Sequence, residues 1–314
     1  MSDKQARSIG ERLHLAWPLF AVTAGLTAAA IVIASLNAAQ GVGEFQPIDA
    51  VWGASWLSFP AIGALIASRR PRNPVGWLAD SMGLPIATLL FAGEYGTYAS
   101  IVRPELPGDS FFIWLSQWPF FISGAIAVFI FLLFPSGSLP SRRWRLVGWI
   151  AALASAFGAA AASVGRVTDE SIKGILQNPL LIPSLADLTE NVQQWSGTVI
   201  LLCVLAAVFS SFIRARRASS DERRQLKWFY SGLVFLVLSF VVIFVIEAAF
   251  ALTPYVLTTI LFALGVMAPP TGMAIAILRY RLYDIDVVIN KTFVYFTLAA
   301  FITLIYVGVV VGIG

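Results

Sequence analysis

The chain is poor in charge. Only 12% of its residues are Asp, Glu, Lys or Arg, against 58% hydrophobic; a soluble globular protein carries about 25% charged residues. So little polar surface cannot keep 314 residues in water, which excludes a soluble enzyme. There is one cysteine, Cys203, inside an apolar run, and one histidine, His14. A disulfide framework within the chain and a nitrogen–sulfur metal site both need more ligands than these, so no metal or cofactor is expected. The net charge of +4 is too small to suggest nucleic acid as a partner.

In place of charge the sequence has long apolar runs. A helix crosses ~30 Å of hydrocarbon with ~20 residues. Nine stretches qualify: 15–37, 51–68, 76–100, 110–134, 146–165, 195–213, 229–252, 255–278 and 293–314. The expected fold class is all-α, a polytopic transmembrane helix bundle of about nine spans. It forms one domain over 15–314, behind a cytoplasmic segment 1–14. Runs such as 129–134 and 241–246 do not alternate as the strands of a membrane β-barrel would. The first run is long for a signal-peptide core of about 7–15 residues and is read as a retained span.

Charge sets the orientation. Eighteen of the 21 Lys and Arg fall on the side that holds the N-terminus; only Arg103, Arg166 and Lys173 fall on the other. Positive loops stay in the cytoplasm, so the N-terminus is inside. The one long outer loop is 166–194. Its apolar clusters (Ile172, Ile175 and Leu176, then Leu185 and Leu188) predict short helices on the membrane surface. The loop is read as a connecting cap, with a binding lid as the second option.

Four inner segments have distinctive chemistry. In the first, Asn73 can cap a helix that has Pro74 in its first turn. The second is turn-rich, from Phe134 through Pro135 and Gly137 to Pro140. In the third, Ser219 and Glu222 have capping-box spacing, and Trp228 is placed as an interface anchor. In the fourth, Leu278, Leu282, Ile285 and Ile289 recur at helical spacing, so an interfacial helix is expected over about 279–292.

Together these segments, RRPRNPVGWL (69–78), LLFPSGSLPSRRWR (132–145), RARRASSDERRQLKW (214–228) and ILRYRLYDIDVVINKTFVY (277–295), resemble the membrane region of actinobacterial-type sensor histidine kinases. The resemblance covers most of the chain from about residue 60. It implies a membrane-embedded input module of two-component signalling in the bacterial cytoplasmic membrane. Its output would be a kinase or response regulator, and Arg279, Arg281, Tyr283, Asp284, Asp286 and Asn290 form a candidate relay segment. In that family a further span leads back to cytoplasmic kinase modules. Here the sequence ends at Gly314, expected outside, which reads as a truncated chain, a fragment or a stand-alone relative.

Catalysis is not expected in this chain. His14 sits at the mouth of the first span without the acidic residue that should follow a phosphoacceptor histidine. Gly308 and Gly312 have the spacing of close helix packing, within the chain or, as the second option, in a homodimer. Asp80 lies one turn inside the cytoplasmic end of its span, within reach of Arg69, Arg70 or Arg72, and is expected to form a salt bridge. Glu94 and Glu247 each lie roughly 8–9 Å below the outer surface by helical rise, and Gln117 reaches a similar depth. Acids in spans usually face protein or water. These three are read either as separate wetted groups or as an outward-open polar pocket. The lipid bilayer is the one partner that composition requires.

Two other functions compete. A small-molecule transporter would use Pro269 and Pro270 to break the eighth span, although no convincing inverted repeat is visible. A structural partner subunit would need no ligand.

Overall fold

The computed structural model describes residues 3–139, 141–167, 177–217, 220–249 and 255–278, and side chains from residue 16 onward with a few gaps. These residues are all-helical, with no strand among them. Ten α-helices follow in order: α1 Asp3–Ala39, α2 Pro47–Ser55, α3 Ser58–Arg69, α4 Pro74–Thr97, α5 Asp109–Leu115, α6 Pro119–Leu133, α7 Arg145–Val164, α8 Ala186–Arg217, α9 Ser220–Ala249 and α10 Tyr255–Leu278. They make eight segments long and apolar enough to cross a membrane. Two of these, α2 with α3 and α5 with α6, are each broken in the middle. The ninth expected span, 293–314, and the expected interfacial helix, 279–292, lie outside the described residues.

Residues 3–14 form the first part of α1, ahead of the apolar stretch that begins at Ala16. One helix end differs from the expectation. On the outer side, the expected surface helix around Leu185 and Leu188 is a 3₁₀ turn at Pro183–Leu185 that runs straight into α8. The described part of that loop is a cap on α7. Buried Asn178 donates from Nδ2 to the carbonyls of Ser163 and Gly165 at 3.0 and 2.9 Å, groups that α7 leaves unsatisfied at its end. Arg166 then pairs with Asp187 at 3.0 Å and Glu190 at 3.4 Å on α8.

Helix contacts rest on small residues, as expected where lipid supplies no hydrophobic drive between helices. In α7, Gly148, Ala151, Ser155, Gly158 and Ala162 form a buried stripe at helical spacing. α3 crosses α4 so closely that a Cβ on Gly63 would lie 2.0 Å from the backbone nitrogen of Asp80. α9 meets α10 through Gly232 and Gly272, where added Cβ atoms would lie 2.5 Å from the carbonyl oxygens of Ala268 and Trp228. α10 stays helical through Pro269 and Pro270, without the break that a transporter would use; packing against α9 holds the helix across the missing N–H groups.

The main core lies toward the inner half. Ile66, Val75, Leu132, Phe134, Phe229 and Met273 meet there, all buried. Large apolar side chains on α7, α8 and α9, such as Trp149, Phe157, Leu201, Phe209 and Val237, point outward, as a lipid-facing perimeter requires.

Candidate functional site

At the outer end the bundle opens. A cavity of about 710 Å³ lies between α1 and α4 on one side and α9 and α10 on the other, with α2 across its mouth. Ala30, Ile31 and Ala34 of α1 and Leu90 of α4 give it a smooth apolar back. Its aromatic wall is Trp52, Phe262 and Phe240. The Trp52 and Phe262 rings are stacked with centroids 6.0 Å apart, and Phe240 meets Phe262 edge-on at 5.6 Å.

Three carboxylates reach this cavity: Glu44, Asp49 and Glu94. Asp49 belongs to the first turn of α2, where its Oδ2 accepts from the Gln46 backbone N–H at 2.7 Å, the reciprocal half of a capping box. Its Oδ1 accepts from the hydroxyl of Tyr255, the first residue of α10. One carboxylate therefore joins the outer ends of two helices. Glu94 is held from behind by Asn37, whose Nδ2 donates to Glu94 Oε2 at 2.8 Å and to the Glu94 carbonyl at 3.1 Å. Asn37 is 2% exposed, and its Oδ1 is buried without a hydrogen-bond partner among the described residues. A buried acceptor left in that state costs about 1–3 kcal/mol.

Of the three acceptors and acids expected to share a pocket, Glu94 lines this one. Gln117 sits elsewhere, at the break between α5 and α6, where its Nε2 donates to the Ile113 carbonyl at 3.1 Å and Ser116 Oγ at 2.7 Å. Glu247 is in α9, and its side chain lies outside the described residues. Glu44, Asp49 and Tyr255 complete the site and are not among the expected residues. Asp80 does not form the expected salt bridge. It is fully buried at the tight crossing of α3 on α4, and neither carboxylate oxygen has a hydrogen-bond partner among the described residues. Arg69, Arg70 and Arg72 are partly or fully exposed and form no pair with it.

The described outer basic residues, Arg103 and Arg166, are engaged away from the cavity. Arg103 pairs with Glu105 at 3.2 Å. A backbone hydrogen bond at Glu105 itself, together with this guanidinium, holds the Glu105 carboxyl below its usual range. Arg166 is taken up by Asp187 and Glu190.

At the inner end, three of the four distinctive segments meet. Asn73 caps α4 as expected, accepting from Val75 N at 3.0 Å, and its Nδ2 donates to the Pro135 carbonyl at 2.9 Å. Arg214, at the end of α8, donates to the Phe134 carbonyl at 2.9 Å and to Ser136 Oγ at 3.0 Å, and it also reaches the Ser138 carbonyl. The Phe134 ring stacks on Phe229 of α9, with centroids 4.3 Å apart. Gly137, at φ +76°, makes the turn that brings these groups together. Ser219, the side chains of His14 and Glu222, and the relay candidates Arg279, Arg281, Tyr283, Asp284, Asp286 and Asn290 lie outside the described residues.

Together these features define a multi-pass α-helical membrane protein with an acidic, aromatic cavity outside and a hydrogen-bonded junction inside. No family model matches the chain, and no curated protein or solved structure matches it.

Proposed function

We propose that this chain is a sensory input module of bacterial signal transduction, seated in the cytoplasmic membrane. In this reading the outer cavity receives the stimulus and the inner junction passes it on. The observation that carries the reading is that α4 and α9 each have one end in both places. α4 contributes Glu94 to the cavity and Asn73 to the junction. α9 contributes Phe240, Ile243 and Phe244 to the cavity and Phe229 to the junction. A stimulus that binds one spacing of these helices better than another shifts the population toward it. The stack of Phe229 on Phe134 then moves with α9. Output leaves through the inner segments, the relay residues Tyr283, Asp284, Asp286 and Asn290 among them, toward a kinase or response regulator. A homodimer is part of this proposal.

The test fills the cavity without needing to know the stimulus. Ala34→Trp places an indole among the lining residues, and amide hydrogen exchange is followed over residues 134–139 in nanodiscs. Altered protection there, about 100 residues away in sequence but joined through α4 and α9, is the expected result. Unchanged exchange in a variant whose cavity is demonstrably filled would refute the coupling.

A transporter is the second reading, favoured by the break between α2 and α3 beside the cavity. Accumulation of a bound solute in proteoliposomes would select it over the sensor.

A further inference from the structure

We infer that Asp80 is a proton-binding site, and that its proton is what allows α3 and α4 to close on each other. The inference goes beyond the sensor reading and does not rest on it.

Asp80 lies six residues past Pro74, the first residue of α4, so helical rise sets it about 9 Å inside the cytoplasmic end. It is 0% exposed, and neither carboxylate oxygen has a hydrogen-bond partner among the described residues. The two helices meet here backbone to backbone. A Cβ on Gly63 of α3 would lie 2.0 Å from Asp80 N and 2.6 Å from Asp80 Cα. The seam is as tight on either side: added Cβ atoms on Gly76 and Gly83 would lie 2.7 Å from Ala67 N and 2.6 Å from Pro60 Cγ.

No charge answers this carboxyl. The helices packed against α4 are α1, α3, α5 and α6. From residue 16 onward α1 has no ionisable side chain, and α6 has none. α3 has only Arg69, at its inner end, which forms no pair with Asp80. α5 has only Asp109, and α4 itself has Glu94 and Tyr95 with Tyr98 just beyond, all at the outer end. α10, which packs on α3, has only Tyr255, also outside. The side chains of Glu11, Arg12 and His14, earlier on α1, lie outside the described residues.

A carboxylate sealed from water with neither a cation nor a donor beside it is neutralised by taking up a proton. Ionisation would need water at the carboxylate, and at 0% exposure none reaches it while the seam is shut. Loss of the proton and separation of α3 from α4 are therefore one event. The closed seam holds a neutral carboxylic acid. The open seam holds a hydrated carboxylate and has released one proton to water. The proton is thus a ligand of the closed arrangement, and pH sets the population of the two. Asn73, which caps α4, also holds the Pro135 carbonyl, so a displaced α4 acts on the inner junction.

The test uses the full chain in nanodiscs. Infrared difference spectra of the unmodified chain against Asp80→Asn, at about pH 8 where an ordinary aspartate is fully ionised, should show the carbonyl stretch of a protonated carboxylic acid. Amide exchange over residues 60–69 and 74–83 is then compared between the two proteins at equal pH. Because opening releases one proton, the ratio of rates, unmodified over variant, should rise about tenfold per pH unit between about pH 6 and 9. A spectrum with only ionised carboxylate, with or without sodium as a substitute cation, would overturn the inference, and so would a ratio that does not change with pH. If Asp80→Asn does not fold, carboxyl-labelled aspartate in the unmodified chain decides. Asp80 is the one buried aspartate among the described residues, so an acid band shifted by the label supports the site and its absence overturns it.

Discussion

Arg214 donates to the carbonyl of Phe134 at 2.9 Å, so the last turn of α8 is tied to the turn that follows α6. The same guanidinium serves Ser136 and Ser138. Lysine carries a point charge on a flexible stem and cannot hold several acceptors in one plane. Arg214→Lys should therefore lower the melting temperature in detergent. Arg214→Ala should lower it further, with a loss on the order of 1.5–3 kcal/mol, the scale of hydrogen bonds to a charged group. An unchanged melting temperature in both variants would remove Arg214 from the junction.

Gly63 and Gly25 should respond oppositely to alanine. A Cβ on Gly63 would lie 2.0 Å from Asp80 N and 2.5 Å from the Ala79 carbonyl carbon, both backbone atoms that cannot step aside. Gly63→Ala should separate α3 from α4 and give little monodisperse protein. Gly25, within α1, has nothing within 4 Å of its added Cβ. Gly25→Ala should be neutral or stabilise by about 0.5–1 kcal/mol through helix propensity. Melting temperature and size-exclusion profile read both, and equal behaviour would contradict the α3–α4 crossing.

Asn37 and Glu94 should be energetically coupled. Asn37→Ala, Glu94→Gln and the double variant form a cycle in which the pair contributes about 0.5–3 kcal/mol beyond additivity. Strict additivity would mean that the 2.8 Å contact is absent in the membrane.

Orientation can be read with an impermeant thiol reagent in intact cells, using a Cys203→Ala background. Arg103→Cys and Lys173→Cys should label, while Arg70→Cys and Arg143→Cys should label only after permeabilisation. Labelling of position 143 and not 103 would invert the topology.

The spans were legible because lipid demands about 20 consecutive apolar residues and few other structures supply them. The breaks in the second and fourth spans were not, because a broken apolar run has the same composition as a continuous one. Proline does not mark them reliably: Pro119 opens α6 at a break, yet Pro85, Pro269 and Pro270 lie inside unbroken helices. Glu94 was legible as a polar residue at an apolar depth. Asp49 was missed because its helix begins at Pro47, four residues before the apolar run at 51; the Gln46–Asp49 cap spacing with Pro47 between them was the available signal. Arg214 read as one of six basic residues in an inner loop, and nothing local in the sequence names a partner some 80 residues earlier. Asp80 went the other way. Its distance from three arginines along the chain suggested a pair, but its side chain is fully buried at the α3–α4 crossing and meets none of them.

α8 has 32 residues and so measures ~48 Å, against a hydrocarbon core of ~30 Å. Its surplus is not free to slide. Arg214 fastens it to the α6 turn inside, and Arg166 fastens its first turn to the end of α7 outside. A helix held at both ends answers a thinner or thicker bilayer by tilting, and tilt draws on both fastenings at once. The thickness of the surrounding lipid thus becomes one of the quantities that set the geometry of the turn from Phe134 to Ser138.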